Sequence, residues 1–342
     1  MYNTKNVTAI IITVLTLLII TPSCKNNDNN TTTVIGDWQN RSELDGISRS
    51  EAVSFVIGDS AYLATGYDGT NRLNDLWQYD PALNSWRQKA DLPGTPRSSA
   101  VGFTINNKGY VGTGYDGTNR LNDFWQYNPT TNSWAKKADF AGSARYDAVG
   151  FAVMDKGYIS TGFDGNYLKD LWQYDDVNDS WMQMISMGGA KRSGAVAFVH
   201  DNKAYICTGN NNGVTSTVTD VWVFDPTATP YWSEKRRIAN LDPDTYDDNY
   251  TDITRTNATA FVIGDFAFLA TGNTGGAVAT CWQYDFAQDV WVKKTDFENS
   301  AREGAVGFSV SNHGFIATGR SGNSPFDDIM EFLPDAPYQA NN

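Results

Sequence analysis

The chain has 342 residues, with 39 acidic against 26 basic and a formal charge of −13. That balance repels nucleic-acid phosphates and anionic lipid headgroups, so nucleic acid is excluded as an expected partner. Aromatic residues make up 13%, glycines number 30, and helix-forming runs are missing beyond the first twenty residues, so an all-β chain is expected.

The first element is an apolar run of fourteen residues from Val7 to Ile20, behind a single Lys5. It is too short to cross a bilayer as a permanent helix and suits the core of a secretory signal. Thr21-Pro22-Ser23-Cys24 follows and resembles the lipobox of bacterial lipoproteins, with Thr21 standing where Leu is usual. The resemblance implies a signal peptide over 1–23, a lipid on Cys24 as the membrane anchor, and an exported outer-membrane lipoprotein facing the periplasm or the cell surface. Residues 24–35, rich in Asn and Thr, read as a flexible tether.

From there the chain repeats itself. Thr-Gly recurs at Thr65, Thr113, Thr161, Thr208, Thr271 and Thr318, at spacings of 48, 48, 47, 63 and 47 residues. Sixteen residues before each Thr stands an arginine (Arg49, Arg97, Arg145, Arg192, Arg255 and Arg302), and six residues after each arginine a phenylalanine (Phe55, Phe103, Phe151, Phe198, Phe261 and Phe308). Each copy reads as four short strands separated by turns rich in Asn, Gly, Asp and Pro, such as Asn106-Asn107-Lys108-Gly109. Four strands per period of 45 to 50 residues is the pattern of a propeller blade.

Ten of the eleven tryptophans fall on third and fourth strands of five copies; Trp38 precedes the first copy, and the sixth lacks a fourth strand. The expected fold is therefore a six-bladed β-propeller over 36–335, its ring closed by the Trp38 strand completing the last blade, with a tail over 336–342. The small residues ending strand two, the aspartate before strand three, the Tyr79-Asp80-Pro81 turn and the Trp after it resemble the kelch repeat, with Thr-Gly where kelch proteins have Gly-Gly. The resemblance implies that the arginine and Thr-Gly end of the propeller is the ligand face, and it implies no particular activity.

Six arginines at the channel mouth allow two readings: bidentate donors to a carboxylate or phosphate, or ties between neighbouring blades. The aspartates before strand three, Asp75, Asp123, Asp170 and Asp220, read as turn residues. Features that break the symmetry point more directly to a ligand. Blades one to three alone carry an aromatic-Asp-Gly loop, at Tyr67-Asp68, Tyr115-Asp116 and Phe163-Asp164, joined by Arg72 and Arg120 in two of them. The link between blades four and five is about 15 residues longer than the others and crowds Asp242, Asp244, Asp247, Asp248 and Asp252 around Tyr246 and Tyr250, a set suited to stacking on and hydrogen-bonding a sugar. Its acidic spacing matches no calcium loop.

Only two histidines occur, His200 and His313, in different blades at the end opposite the arginines, so no metal or other cofactor is expected, and the copper chemistry of galactose oxidase, a kelch-type propeller, has no ligand set here. Cys207 and Cys281 fall on strands of different blades, as unpaired apolar fillers. The expected function is a non-catalytic envelope module, monomeric, that recognises glycan or protein through this face. The alternatives are a carbohydrate-active enzyme resembling kelch-type sialic acid mutarotases, with Glu51, Asp147 or Glu303 as its acid, and a purely structural envelope protein.

Overall fold

Alternating apolar residues on the first strand of each repeat, such as Val53, Phe55 and Ile57, need one buried face, and the second strand supplies it with a run buried on both sides. A computed structural model, describing residues 35–212 and 218–339, shows what these pairs build. The expected signal segment 1–23, Cys24 and the expected tether through 34 lie outside the described residues, as do 340–342 of the tail.

Six antiparallel four-stranded sheets follow one another in chain order. Blade one comprises Val53–Ile57, Ser60–Tyr67, Arg72–Asp80 and Ser85–Lys89. Blade two comprises Val101–Ile105, Lys108–Gly112, Phe124–Asn128 and Ser133–Lys137. Blades three, four and five begin at Val149, Val196 and Thr259. Blade six takes Val306–Val310, His313–Ala317 and Ile329–Leu333 from the C-terminal end, and Asp37–Asn40 from the N-terminal end as its outer strand. Trp38 pairs with Phe332 and Asn40 with Met330, which closes the ring as the count of tryptophans predicts. Among the described residues no helix is long and apolar enough to cross a membrane.

The core lies between blades. Phe55 stacks on Tyr62 at 5.3 Å within blade one, and both meet Tyr127 of blade two. The same triad recurs around the ring, as Phe103, Tyr110 and Tyr174, and as Phe151, Tyr158 and Phe224. The preceding blade's phenylalanine explains a small residue at the start of each second strand: a Cβ on Gly109 would stand 2.1 Å from the Phe55 ring, one on Gly157 2.3 Å from Phe103. Because every interface repeats, the channel wall is uniform and narrow, lined by Ala52, Ala100, Ala148, Ala195, Ala258 and Ala305.

Candidate functional site at the channel mouth

The six arginines lie fully engaged beneath the mouth. Arg97 is 0% exposed; its Nε donates to Thr95 O at 2.9 Å, Nη1 to Thr113 O at 3.0 Å, and both terminal nitrogens to Asp123 at 2.6 Å. Arg49 holds Asp75, Arg145 Asp170 and Arg302 Asp328 in the same bracket, while Arg192 reaches the Asp220 carboxylate through Nη2 and the Asp220 backbone carbonyl through Nη1. Each of those aspartates also accepts a bond from a third-strand tryptophan in blades one to four, for example Trp125 Nε1 at 2.7 Å. A guanidinium with no exposed edge cannot receive a ligand, so Arg49, Arg97, Arg145, Arg192, Arg255 and Arg302 are structural and not the anion site.

The bracket explains the Thr-Gly dipeptide as well. The carbonyl that each arginine takes belongs to the Thr, which is turned into the left-handed region at φ 58 to 63° in all six blades, a conformation unusual for a β-branched residue. The following glycines lie at φ 92 to 114°, where a side chain is strained.

Blade five departs from the pattern and repairs itself. Thr280 stands in place of the aspartate, and Arg255 Nη2 donates to Thr280 Oγ1 at 2.8 Å. The end of the long link supplies the missing carboxylate: Asp252 lies 3.6 Å from Arg255 and accepts Trp282 Nε1 at 2.7 Å. The rest of the insertion is held mostly by its own polar contacts, with Asp247 Oδ1 left buried and unpaired. Buried Asp247 accepts the backbone N–H of Leu241 and Asp242, and the buried Tyr250 accepts Trp291 N at 2.6 Å from within the core between blades four and five. Tyr246 donates to Asp242 at 2.5 Å and lies 4.6 Å under Arg236. Tyr246 and Tyr250 therefore close a long link instead of presenting a sugar platform.

The loops after Thr-Gly in blades one to three divide by residue type. Asp68 accepts the N–H of Thr70 and Asn71, Asp116 that of Thr118 and Asn119, and Asp164 that of Asn166, so all three aspartates are turn-forming residues and not ligand contacts. For Asp68 and Asp116 these backbone bonds are the largest cause that holds the carboxyl below the ordinary range. The aromatics and arginines form a continuous ladder across the three blades. Arg72 lies 4.6 Å from the Tyr67 ring and 5.2 Å from Tyr115; Tyr115 meets Tyr146 at 5.3 Å; Arg120 lies 5.9 Å from Tyr146 and 5.4 Å from Phe163; Phe163 meets Tyr167 at 5.2 Å.

Inside that ladder is the mouth itself. Glu51, Ser99, Asp147, Gly194, Asn257 and Gly304, one from each blade and each two residues past its arginine, all adopt φ of 51 to 62°. Each donates its N–H to the carbonyl of the preceding one, and Glu51 donates to Gly304, so six bonds of 2.7 to 3.2 Å make an unbroken circle. The circle fixes where its side chains stand. Glu51, Ser99 and Asp147 enter a recess of about 270 Å³ with Tyr115, Thr118, Arg120 and Tyr146. Ser99 Oγ donates to Glu51 at 3.3 Å, and Arg320 lies 3.2 Å from Glu51 and 3.5 Å from Glu303. The sequence reasoning passed over Ser99, Tyr146 and Arg320. Their signal is the residue after each repeated arginine or Thr-Gly, where five blades have no tyrosine and five have no arginine.

Burial, and then the nearby Glu51 charge, push the Asp147 carboxyl up to about 7. The folded state thus keeps a proton that the unfolded chain releases near pH 4, and stability falls as pH rises from about 4 to about 7. The gap corresponds to at most ~4 kcal/mol, and partial water access reduces the expectation to about 2 kcal/mol. Asp147→Asn, which fixes the neutral form, is expected to gain about that much at pH 8 and nothing at pH 4 in urea unfolding; equal stability of the two proteins at pH 8 would remove Asp147 as a neutral-range carboxyl.

Other chemistry is placed elsewhere. His200 stacks on Phe286 at 4.0 Å in blade four, and His313 bonds Glu331 in blade six. Cys207 and Cys281 are free and buried, and burial pushes both thiols up to about 12. Among the described residues no three His, Cys, Asp or Glu side chains converge as metal ligands. A larger recess, about 630 Å³, lies at the seam beside Ile35, Lys294, Glu298 and Tyr338, apart from the ladder. The seam recess also holds aromatics, cations and carboxylates, but there Phe297 is buried against Trp38 and Arg302, and Lys293 pairs with Asp296, whereas the mouth recess gathers side chains of three blades beside the aromatic ladder, which makes it the stronger candidate.

Two family models match: the KLHDC2/KLHL20/DRC7 Kelch-repeats domain over residues 88–209, and the Kelch motif over residues 48–93. Comparison with curated proteins gives no match. Among solved structures, "Structure of YjhT" is similar with a TM-score of 0.70 and 17% identity, over 84% of this chain and 95% of that one. As many as 839 solved chains match, so the likeness concerns a widely used architecture. With its six closed blades the chain is a six-bladed β-propeller, and residues 48–209 of it match kelch repeats.

Proposed function

We propose that the protein is a binding module of the cell envelope that recognises a glycan at the mouth of its channel. The observation that carries this reading is the meeting of Tyr115, Tyr146 and Arg120 with Glu51, Ser99 and Asp147 in one recess. Aromatic faces stack on the C–H side of a sugar ring, while carboxylates and hydroxyls pair with its hydroxyl groups. The envelope location rests on the setting of Cys24, which resembles a lipobox. Because the six buried arginines are occupied, the recess holds more carboxyl than guanidinium groups, and this favours neutral or amino sugars over carboxylated ones.

One observation favours a second reading, a carbohydrate-active enzyme of the sialic acid mutarotase kind. Asp147 titrates near neutrality, where a carboxyl both donates and accepts a proton, and Arg120 has no ion-pair partner among the described residues. A thermal-shift and glycan-array screen with neutral, amino and carboxylated sugars separates the two. The binding-module reading predicts a neutral or amino sugar hit that Tyr146→Ala weakens at least tenfold and Asp147→Asn leaves without turnover to lose. A carboxylated hit lost on Arg120→Ala, with anomer exchange in NMR that Asp147→Asn abolishes, would establish the enzyme instead. Silence across all sugars would leave a protein-binding or structural propeller.

A further inference from the structure

The outer strands of the blades are edges, with one side of each backbone ladder unpaired, and a sheet protects such an edge with charge. The residue two past the fourth-strand tryptophan, with its neighbours, shows how. Blade one has Arg87, Gln88 and Lys89; blade two Lys136 and Lys137; blade four Glu234 and Lys235; blade five Lys293 and Lys294. Blade three has none: its edge reads Ser180-Trp181-Met182-Gln183-Met184-Ile185-Ser186. Met182 is 55% and Ile185 67% exposed, and Val177, in the turn that leads into this strand, is 81% exposed.

This segment is also symmetric in kind about Gln183. Two copies laid antiparallel around a two-fold axis set Gln183 opposite Gln183, Met182 opposite Met184, Trp181 opposite Ile185 and Ser180 opposite Ser186. Amide meets amide, apolar meets apolar, and no charge faces a like charge, which is what an isologous contact requires. The same operation sets like charges together on the other edges: Arg87 opposite Lys89 in blade one, Lys136, Glu234 and Lys293 each opposite itself in blades two, four and five, and, centred on the uncharged Asn40 of blade six, Asp37 opposite Glu43 just beyond the strand. We propose that the protein self-associates through blade three, two copies pairing their Ser180–Met184 strands into one eight-stranded sheet around Gln183.

The neighbouring blade limits the new ladder. The Ile185 carbonyl already accepts Trp232 Nε1 at 2.9 Å, so pairing centres on Met182, Gln183 and Met184. A contact of this size is below that of a standard stable interface, and the association is weak. The formal charge of −13 on each copy opposes it, so salt strengthens the dimer by screening, the reverse of an ion-paired contact. This replaces the expectation of a monomer and does not depend on the channel mouth having a ligand.

Sedimentation equilibrium of the purified chain tests it. The weight-average mass is expected to rise toward twice the monomer with concentration, more so at high salt. Gln183→Lys, which sets two ammonium groups face to face, should restore the monomer with an unchanged unfolding midpoint, and Met182→Glu should do the same. Gln88→Lys, at the equivalent place in blade one, should leave the association intact. A monomer at every concentration, association that survives both blade-three variants, or equal loss on Gln88→Lys would each overturn the proposal.

Discussion

Arg97→Ala is expected to lower stability by about 3–5 kcal/mol without touching a ligand site. Four hydrogen bonds from this side chain reach Thr95, Thr113 and Asp123, and the group has no exposed surface. Truncation leaves the Thr113 carbonyl without its donor and Asp123 with a carboxylate whose desolvation is no longer offset by the guanidinium. The left-handed Thr113 also loses the contact that holds it there. Blade five offers an internal comparison. Arg255 binds Thr280 closely and has its nearest carboxylate, Asp252, at 3.6 Å, so Arg255→Ala should cost less than Arg97→Ala in the same urea titration. If Arg97→Ala instead left unfolding unchanged, the bracket would not be a structural tie.

Trp38→Ala is the second large effect, also about 3–5 kcal/mol, and it should open the seam. Trp38 is 0% exposed, edge-on to Phe297 at 5.1 Å and against Phe332 at 4.7 Å, and its indole donates to Thr295 O at 3.2 Å. It therefore ties the outer strand of blade six to both its own sheet and blade five. Because blade six is assembled from the two ends of the chain, its loss should raise amide exchange over residues 329–333 as well as 37–40. Increased exchange confined to the N-terminal strand would mean that the ring holds without its closing strand.

How much of this could be read from the sequence depended on what repeats. A residue present in six registers, such as Arg97 or Phe103, reveals the period, and the single Trp38 without a third strand reveals how the ring closes. Pairings inside the repeat are less visible. The arginines find aspartates 26 residues on in blades one, two and six, but 25 in blade three and 28 in blade four, and in blade five the carboxylate comes from three residues before. Only the folded blade brings those positions together, so the repeat alone left the arginines open to a structural and a ligand role, and their burial in the folded blade supports the structural one. The insertion misled for a related reason. Tyr250 and Asp252 lie in a polar, acidic stretch, yet they are the part that turns back into blade five. Tyr146 has the opposite history: next to a repeated arginine it reads as part of the structural motif, and the fold places it in the recess between Tyr115 and Arg120.

The proposed ligand face is the aromatic recess of blades one to three, and not the arginine ring or the acidic insertion. The most direct measurement is a glycan-array titration of the wild-type chain beside Tyr146→Ala and Tyr246→Ala, with unfolding midpoints recorded for all three. The account predicts a glycan whose binding Tyr146→Ala reduces at least tenfold and Tyr246→Ala leaves unchanged; binding that survives Tyr146→Ala, or falls with Tyr246→Ala alone, would contradict it.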